Sequence, residues 1–270
     1  MKTQQEKCER FEALHAGADA FIIPNPWDAG SARILQSLGF GALATTSAGF
    51  AYTLARGDGQ PTLEEKLTHC TELAGATDIP INADFEDGYA DDPAAVAVNV
   101  LRLADTGVAG CSIEDFSRST RTLFGFSQAV ERVQAAAEAV KTLGMPFQLT
   151  ARAENLLRGV NDLDDTIARL QAYQAAGAHV LYAPGIRSLE DLKTVTGALE
   201  RPVNVLGVFI ADASLGDFAA AGARRVSLGG ALTWAAVKPL LDASREMLDE
   251  GTFNWLGDIA SGAEVAKLLD

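Results

Sequence analysis

The feature that most constrains this chain is a unit that recurs along its whole length: a short apolar, β-rich run, a turn, then an amphipathic helical stretch. The runs fall at 19–24 (DAFIIP), 41–47 (GALATTS), 80–86 (PINADFE), 109–115 (AGCSIED), 147–154 (FQLTARAE), 179–184 (HVLYAP), 202–207 (PVNVLG) and 225–229 (RVSLG). Helical periodicity fills the intervals, for example at 62–76, 92–106, 127–143, 162–176 and 188–199. Several of these stretches close on a glycine just before the next run (LGF, TGV, LGM, AGA), where a helix end favours a left-handed residue. Strands separated by helices imply parallel β-α-β crossovers. Eight of them in 270 residues point to a (β/α)₈ TIM barrel, one catalytic domain over residues 1–270. An open doubly wound sheet fits less well, because PNPWDAG follows the first run where a G-x-G-x-x-G phosphate loop would stand. The last run is followed by a long helix (ALTWAAVKPLLDASREMLDEG) and a tail over 254–270. That is more helix than a minimal barrel needs, and the surplus is expected to pack on another subunit.

Composition narrows the function. The formal net charge of −14 argues against nucleic acid, whose phosphates must be met by clustered Lys and Arg, and against an anionic membrane surface. A small anionic substrate stays compatible, because a bound divalent cation inverts the local charge. No apolar run is long enough to span a membrane. The first residues, MKTQQEKCERFEALHAG, lack the apolar core of a signal peptide, so a cytoplasmic location is expected. Cys8, Cys70 and Cys111 are scattered and odd in number, and His15, His69 and His179 have no metal-ligand spacing. Neither a disulfide framework nor a zinc site is indicated.

The chemistry concentrates at strand ends. In a barrel, catalytic groups sit at the C-terminal ends of the strands, and successive strand residues alternate faces. The third run then puts Asn82, Asp84 and Glu86 on one face, the fourth Ser112 and Glu114, the fifth Thr150, Arg152 and Glu154. So many neighbouring carboxylates raise one another's pKa unless a cation joins them. Oxygen-only ligands suit Mg²⁺, with Mn²⁺ as the alternative. Arg152 would then be free to fork onto a substrate carboxylate or phosphonate. Asp87, Asp91, Asp92 and Asp115 lie where loops begin and read as caps or solvated charges. Ser47-Ala48-Gly49, taken alone, reads as a tight turn. Cys111 reads as a small core residue, His69 and Cys70 as packing or surface residues, and His179 as structural.

Taken in order, PNPWDAGSARILQSLGF, ATTSAG, ARGDGQ, NADFEDGYA, GCSIED, LTARAE, GAHVLYAPGI, PVNVL and RRVSLGGAL resemble the isocitrate lyase/phosphoenolpyruvate mutase superfamily along the whole barrel. The resemblance implies a Mg²⁺-dependent lyase acting through an enolate on a small 2-oxo or 2-hydroxy acid. It also implies a homo-oligomer, a dimer or tetramer, with the last barrel helix exchanged between subunits. Asp84 matches the direct metal ligand. Asp58, Glu86 and Glu114 match groups that hold the metal through water. Ser47 with the amides of Ala48 and Gly49 matches the substrate carboxylate pocket, and Arg152 the arginine that grips the substrate. Catalytic roles are thus expected for Asp58, Glu114 and Arg152. One segment departs from the pattern. The lyases of this superfamily carry a K-[KR]-C-G-H-type loop after the fourth strand, with a cysteine as catalytic acid, whereas this chain reads DFSRSTRTLFGFS. The enolate half of the site matches and the proton-donating part does not. Phosphonate P–C chemistry and a non-catalytic 2-oxo acid binder therefore stay open as alternatives.

Overall fold

A computed structural model describes residues 2–269. The elements run in chain order α1 (Gln4–Ala16), β1 (Phe21–Ile23), α2 (Ala29–Ser37), β2 (Leu43–Ala44), α3 (Ser47–Thr53), α4 (Leu63–Ala76) and β3 (Ile81–Asp84). They continue with α5 (Pro93–Ala104), β4 (Gly110–Glu114), α6 (Phe126–Lys141), β5 (Gln148–Arg152), α7 (Leu163–Ala175) and β6 (Val180–Tyr182). The last are α8 (Leu189–Gly197), β7 (Val203–Leu206), α9 (Leu215–Ala220), β8 (Arg225–Ser227), α10 (Ala231–Asp249) and α11 (Gly262–Leu269). The strands are all parallel, in the order β1-β8-β7-β6-β5-β4-β3-β2. The two ends of that order meet through the Ala44 N–H, which donates to the Pro24 carbonyl at 3.0 Å and brings the sheet round to a barrel.

Every strand is shorter than its apolar run, because each run includes the residues that turn into the following loop. Helix starts follow local chemistry. Thr3 with Glu6 and Thr62 with Glu65 form reciprocal capping boxes, and Asp92 caps α5 ahead of Pro93. The apolar core lies between the sheet and its surrounding helices, around Phe11, Phe85, Leu103, Phe147, Leu149 and Tyr173. Helix α1 packs at the N-terminal end of the barrel: a Cβ on Gly110 would stand 3.0 Å from the Phe11 ring and 2.5 Å from the Gln148 carbonyl, so only glycine fits there.

The barrel interior is unlike that helix-facing core. Barrels of this kind usually fill their centre with branched apolar residues. Here Asn82, Ser112, Thr150, Asn204, Arg225 and Ser227 are all buried on inward-facing strand positions. Cys8, Cys70 and Cys111 are free and buried, with burial holding the Cys8 thiol up at about 12. No helix among the described residues is long and apolar enough to cross a membrane.

Candidate active site

Parallel registry fixes the spacing of the charged groups. Asp84 ends β3 beside Ser112 of β4, and Glu114 at the end of β4 stands directly across from Arg152 at the end of β5. Arg152 Nη1 donates to Asp84 Oδ1 at 2.8 Å, and its Nη2 donates to Glu154 Oε1 at 2.7 Å and lies 3.1 Å from Glu114 Oε2. Arg152 Nε also donates to Glu154 Oε1, at 3.1 Å. The sequence left this arginine free for a substrate; the structure engages it with three carboxylates. Buried acids need a countercharge, and the guanidinium beside them supplies it.

Burial would raise the Asp84 carboxyl, but Arg152, the nearby Lys66 ammonium and the Ser47 amide outweigh it and hold Asp84 below the usual range. Glu114 goes the other way: burial and the adjacent Glu154 push it well up against the pull of Arg152. Glu86 is pushed up to about 7 by burial, against the charge of Arg118.

Glu86 does not reach the site by strand alternation, as the sequence suggested, because β3 ends at Asp84. Its backbone is left-handed (φ 47°), and that turn carries the carboxylate over the barrel mouth. There the Tyr89 hydroxyl donates to Oε1 at 2.9 Å and Arg118 Nε lies 2.8 Å from Oε2.

Ser47-Ala48-Gly49 is the first turn of α3 rather than an isolated tight turn. The Ser47 N–H donates to Asp84 Oδ2 at 3.0 Å. Ser47 and Ala48 line the barrel mouth, and Gly49 does not. The Gly49 amide is spent on Thr46 Oγ1 at 3.2 Å, and a Cβ there would stand 2.5 Å from Thr233 Oγ1. Gly49 is thus a packing glycine in this structure. Asp58 is exposed on the loop after α3 and borders the mouth, where its Oδ1 accepts the Gly59 N–H at 3.1 Å.

The mouth holds an inner cavity of about 160 Å³ bordered by Ser47, Asp58, Asp84 and Arg152. An outer one of about 180 Å³ is bordered by Glu86, Glu114, Arg118, Arg121 and Arg158. The loop over 116–125 covers the outer cavity. Arg118 ties it down: its N–H donates to Asp87 Oδ2 at 2.8 Å and its Nη2 to the carbonyls of Gly59 and Pro61, each at 2.6 Å. Ser117 and Ser119 add hydrogen bonds to Asp91 at 2.9 and 2.7 Å.

The model of the phosphoenolpyruvate phosphomutase family matches residues 11–248. The chain belongs to the phosphoenolpyruvate phosphomutase family. A Burkholderia cenocepacia J2315 protein described only in general terms, as a lyase/mutase, has a crystal structure that superimposes with a TM-score of 0.94 at 45% identity, over 98% of this chain and 95% of that one. Oxaloacetate decarboxylase 1 of Pseudomonas putida (strain W619) is 30% identical over 250 residues, 87% of this chain and 82% of the relative. The crystal structure of 2,3-dimethylmalate lyase, a member of the phosphoenolpyruvate mutase/isocitrate lyase superfamily, matches with a TM-score of 0.86 at 25% identity, over 99% of this chain and 95% of that one.

In this member of the phosphoenolpyruvate phosphomutase family, some residues at the site escaped the sequence reading. Lys66 of α4 is fully buried, and its Nζ donates to Thr45 Oγ1 at 3.0 Å. Its signal was present: it falls on the apolar face of LEEKLTHC, between Leu63 and Cys70. Asp87 and Asp115, read as loop charges, are buried as well. Asp115 accepts from the Glu154 N–H at 2.7 Å, from Arg169 Nη1 at 2.9 Å and from the Tyr173 hydroxyl at 2.6 Å, which fixes the chain just beyond Arg152. Asp92 is the cap the sequence indicated.

Proposed function

We propose that this protein is a Mg²⁺-dependent lyase, with Mn²⁺ as a substitute, that breaks a carbon–carbon bond in a small 2-oxo or 2-hydroxy dicarboxylic acid through an enolate. The observation that carries the reading is Asp84. It is an ionised carboxylate at a strand end, facing a cavity about the size of such an acid, with a helix amide and an arginine on its two oxygens. The similarity to an oxaloacetate decarboxylase and to 2,3-dimethylmalate lyase supports the substrate class.

The donor set fits a hard divalent cation. It is made of oxygens, and Glu86 and Glu114 are acids that burial pushes upward despite the arginines beside them. No group of three His, Cys, Asp or Glu side chains among the described residues converges as a ready-made cage. Mg²⁺ takes one or two carboxylates directly and keeps its waters, so it does not require such a cage. Asp84 would hold the ion, with Glu86, Glu114 and Asp58 around it. A divalent ion in such a site polarises a carbonyl and stabilises developing negative charge. The protein's own part is to orient and to exclude water. Arg152 and the Ser47 amide fix the Asp84 carboxylate, and Arg118 closes the loop over the mouth. Ser47 and Ala48 border the space for a substrate carboxylate. Arg118 and Arg121 are poor proton donors, because guanidinium stays charged. Decarboxylation of a 2-oxo dicarboxylate, which needs enolate stabilisation and a proton for the enolate that water can supply, is therefore favoured over retro-aldol cleavage of isocitrate-like substrates, which needs a base and an acid as well.

Calorimetry with Mg²⁺ and turnover of a panel of 2-oxo and 2-hydroxy dicarboxylates test this reading. Binding and turnover that both vanish in Asp84→Ala are expected. Phosphate release from a phosphonate substrate would move the chemistry to a P–C bond, and saturable binding with no product would make the protein a binder.

A homo-oligomer completes the proposal. Helix α10 buries only Thr233 and Ala243 within this chain and exposes Trp234, Leu240, Leu241 and Leu248. An apolar groove on the outer side of the barrel, bordered by Ile22, Phe218, Val226 and Leu228, offers a matching surface for the same helix of a second copy. Light scattering that gave a monomer mass at micromolar concentration would sink that part.

A further inference from the structure

Two arginines border the inner cavity, and they are built differently. Arg152 is shared among three carboxylates. Arg225, two residues below Ser227 on β8, has no carboxylate within ion-pair distance among the described residues, although it is only 3% exposed. Its partners are neutral: Nε donates to Asn204 Oδ1 at 2.8 Å, Nη2 to Thr150 Oγ1 at 3.1 Å, and Nη1 lies 3.3 Å from His15 Nε2. His15 Nδ1 lies 2.7 Å from the Phe11 carbonyl, so that nitrogen carries the proton and Nε2 is the acceptor facing Arg225. Burial, and next the Arg225 charge, lower His15 to about 3, so the ring is neutral at physiological pH. Burial lowers Arg225 itself to about 10, which leaves it a cation.

A guanidinium has five N–H donors. Three of those of Arg225 are taken, and the other two have no partner among the described residues. A buried cation without a countercharge is costly unless something anionic completes it. Arg225 borders the inner cavity, so its two open N–H groups belong to a buried side chain with space beside it.

We propose that Arg225 forms an anion subsite in the floor of the cavity that takes a carboxylate of the substrate, so that the protein selects dicarboxylates over monocarboxylates. The selection of a dicarboxylate as substrate rests on the lyase reading; the subsite itself does not. Planar two-pronged donation suits a carboxylate, and a lysine cannot reproduce it. The floor cation and the Asp84 end border one cavity, which gives a substrate with charge at both ends a single orientation.

The test uses the intact protein and two probes. Malonate, titrated without Mg²⁺, reports the subsite alone; pyruvate, titrated with Mg²⁺, reports the metal end alone. Arg225→Met is expected to weaken malonate about 10- to 100-fold, the scale of one or two hydrogen bonds to a charged group, and to change pyruvate far less. Wild-type protein that does not bind malonate, or an equal loss for both probes, overturns the subsite. Wild-type protein that binds malonate but not pyruvate leaves the subsite standing and removes the metal-enolate reading instead. If Arg225→Met does not fold, as judged by its thermal transition, Arg225→Lys serves in its place. It keeps the charge without the fork, and a malonate affinity equal to wild type would overturn the proposal.

Discussion

The inner and outer shells of the barrel mouth are assembled by different means. Asp84, Glu114 and Arg152 end three adjacent strands, and the parallel ladder sets their separations. Asp58, Glu86, Arg118 and Arg121 come from loops, and hydrogen bonds to backbone or side chains decide where they sit. The inner groups are buried and mutually paired, so removing one leaves its neighbours short of countercharge. Of the outer groups Asp58 and Arg121 are exposed, so their loss is cushioned, whereas Glu86 is as buried as the inner set. Strand register therefore fixes the separations of the inner charges, and loop hydrogen bonds fix the outer ones, whose weight follows burial.

Arg152→Met is expected to have the largest effect. It takes from Asp84 its ion-pair partner and leaves Glu114 and Glu154 only Arg158, and losing one partner of a buried ion pair costs about 3–5 kcal/mol. Urea denaturation of the metal-free protein should show that loss, and saturating Mg²⁺ should recover part of it. A variant as stable as wild type would mean the inner charges are solvated after all.

A smaller effect is expected at Glu86. Its carboxyl is raised by burial from an ordinary 4.5 to about 7, so the folded state binds the proton more tightly than the unfolded chain does. Glu86 therefore favours folding most below pH 4.5, and its contribution declines as the pH rises to about 7, by about 2–3 kcal/mol if unopposed. Glu86→Gln should flatten that part of the stability profile of the metal-free protein between pH 4.5 and 7. An unchanged slope would place Glu86 in water.

Arg118→Ala should cost about 1–2 kcal/mol of stability, since its hydrogen bonds lie partly exposed at the rim. Its clearer mark should be faster amide hydrogen exchange over 116–125. Asp58→Asn should be the mildest change, within about 0.5 kcal/mol in stability, because the side chain is exposed and holds only its neighbour's amide. A large destabilisation there would show that the two shells are not separate.

The features legible along the chain were local in origin. The alternation of strand and helix, the glycines at helix ends and the capping residues are patterns within a few positions, and they specified eight parallel strands and the ends on which Asp84, Glu114 and Arg152 stand. Tertiary structure decided the rest, because those outcomes depend on what crosses from one element to another. Glu86 reached the mouth through a left-handed turn that strand alternation does not encode. Gly49 became a packing residue because Thr233 of α10 presses against α3. Arg152 was taken by three acids from neighbouring strands rather than left open. Arg225, legible only as one polar residue in a strand, gained its meaning from Asn204, Thr150 and His15, which register and helix packing bring together from distant parts of the chain. A buried charge is defined by its partners, and partners far apart in sequence are chosen by packing rather than by pattern.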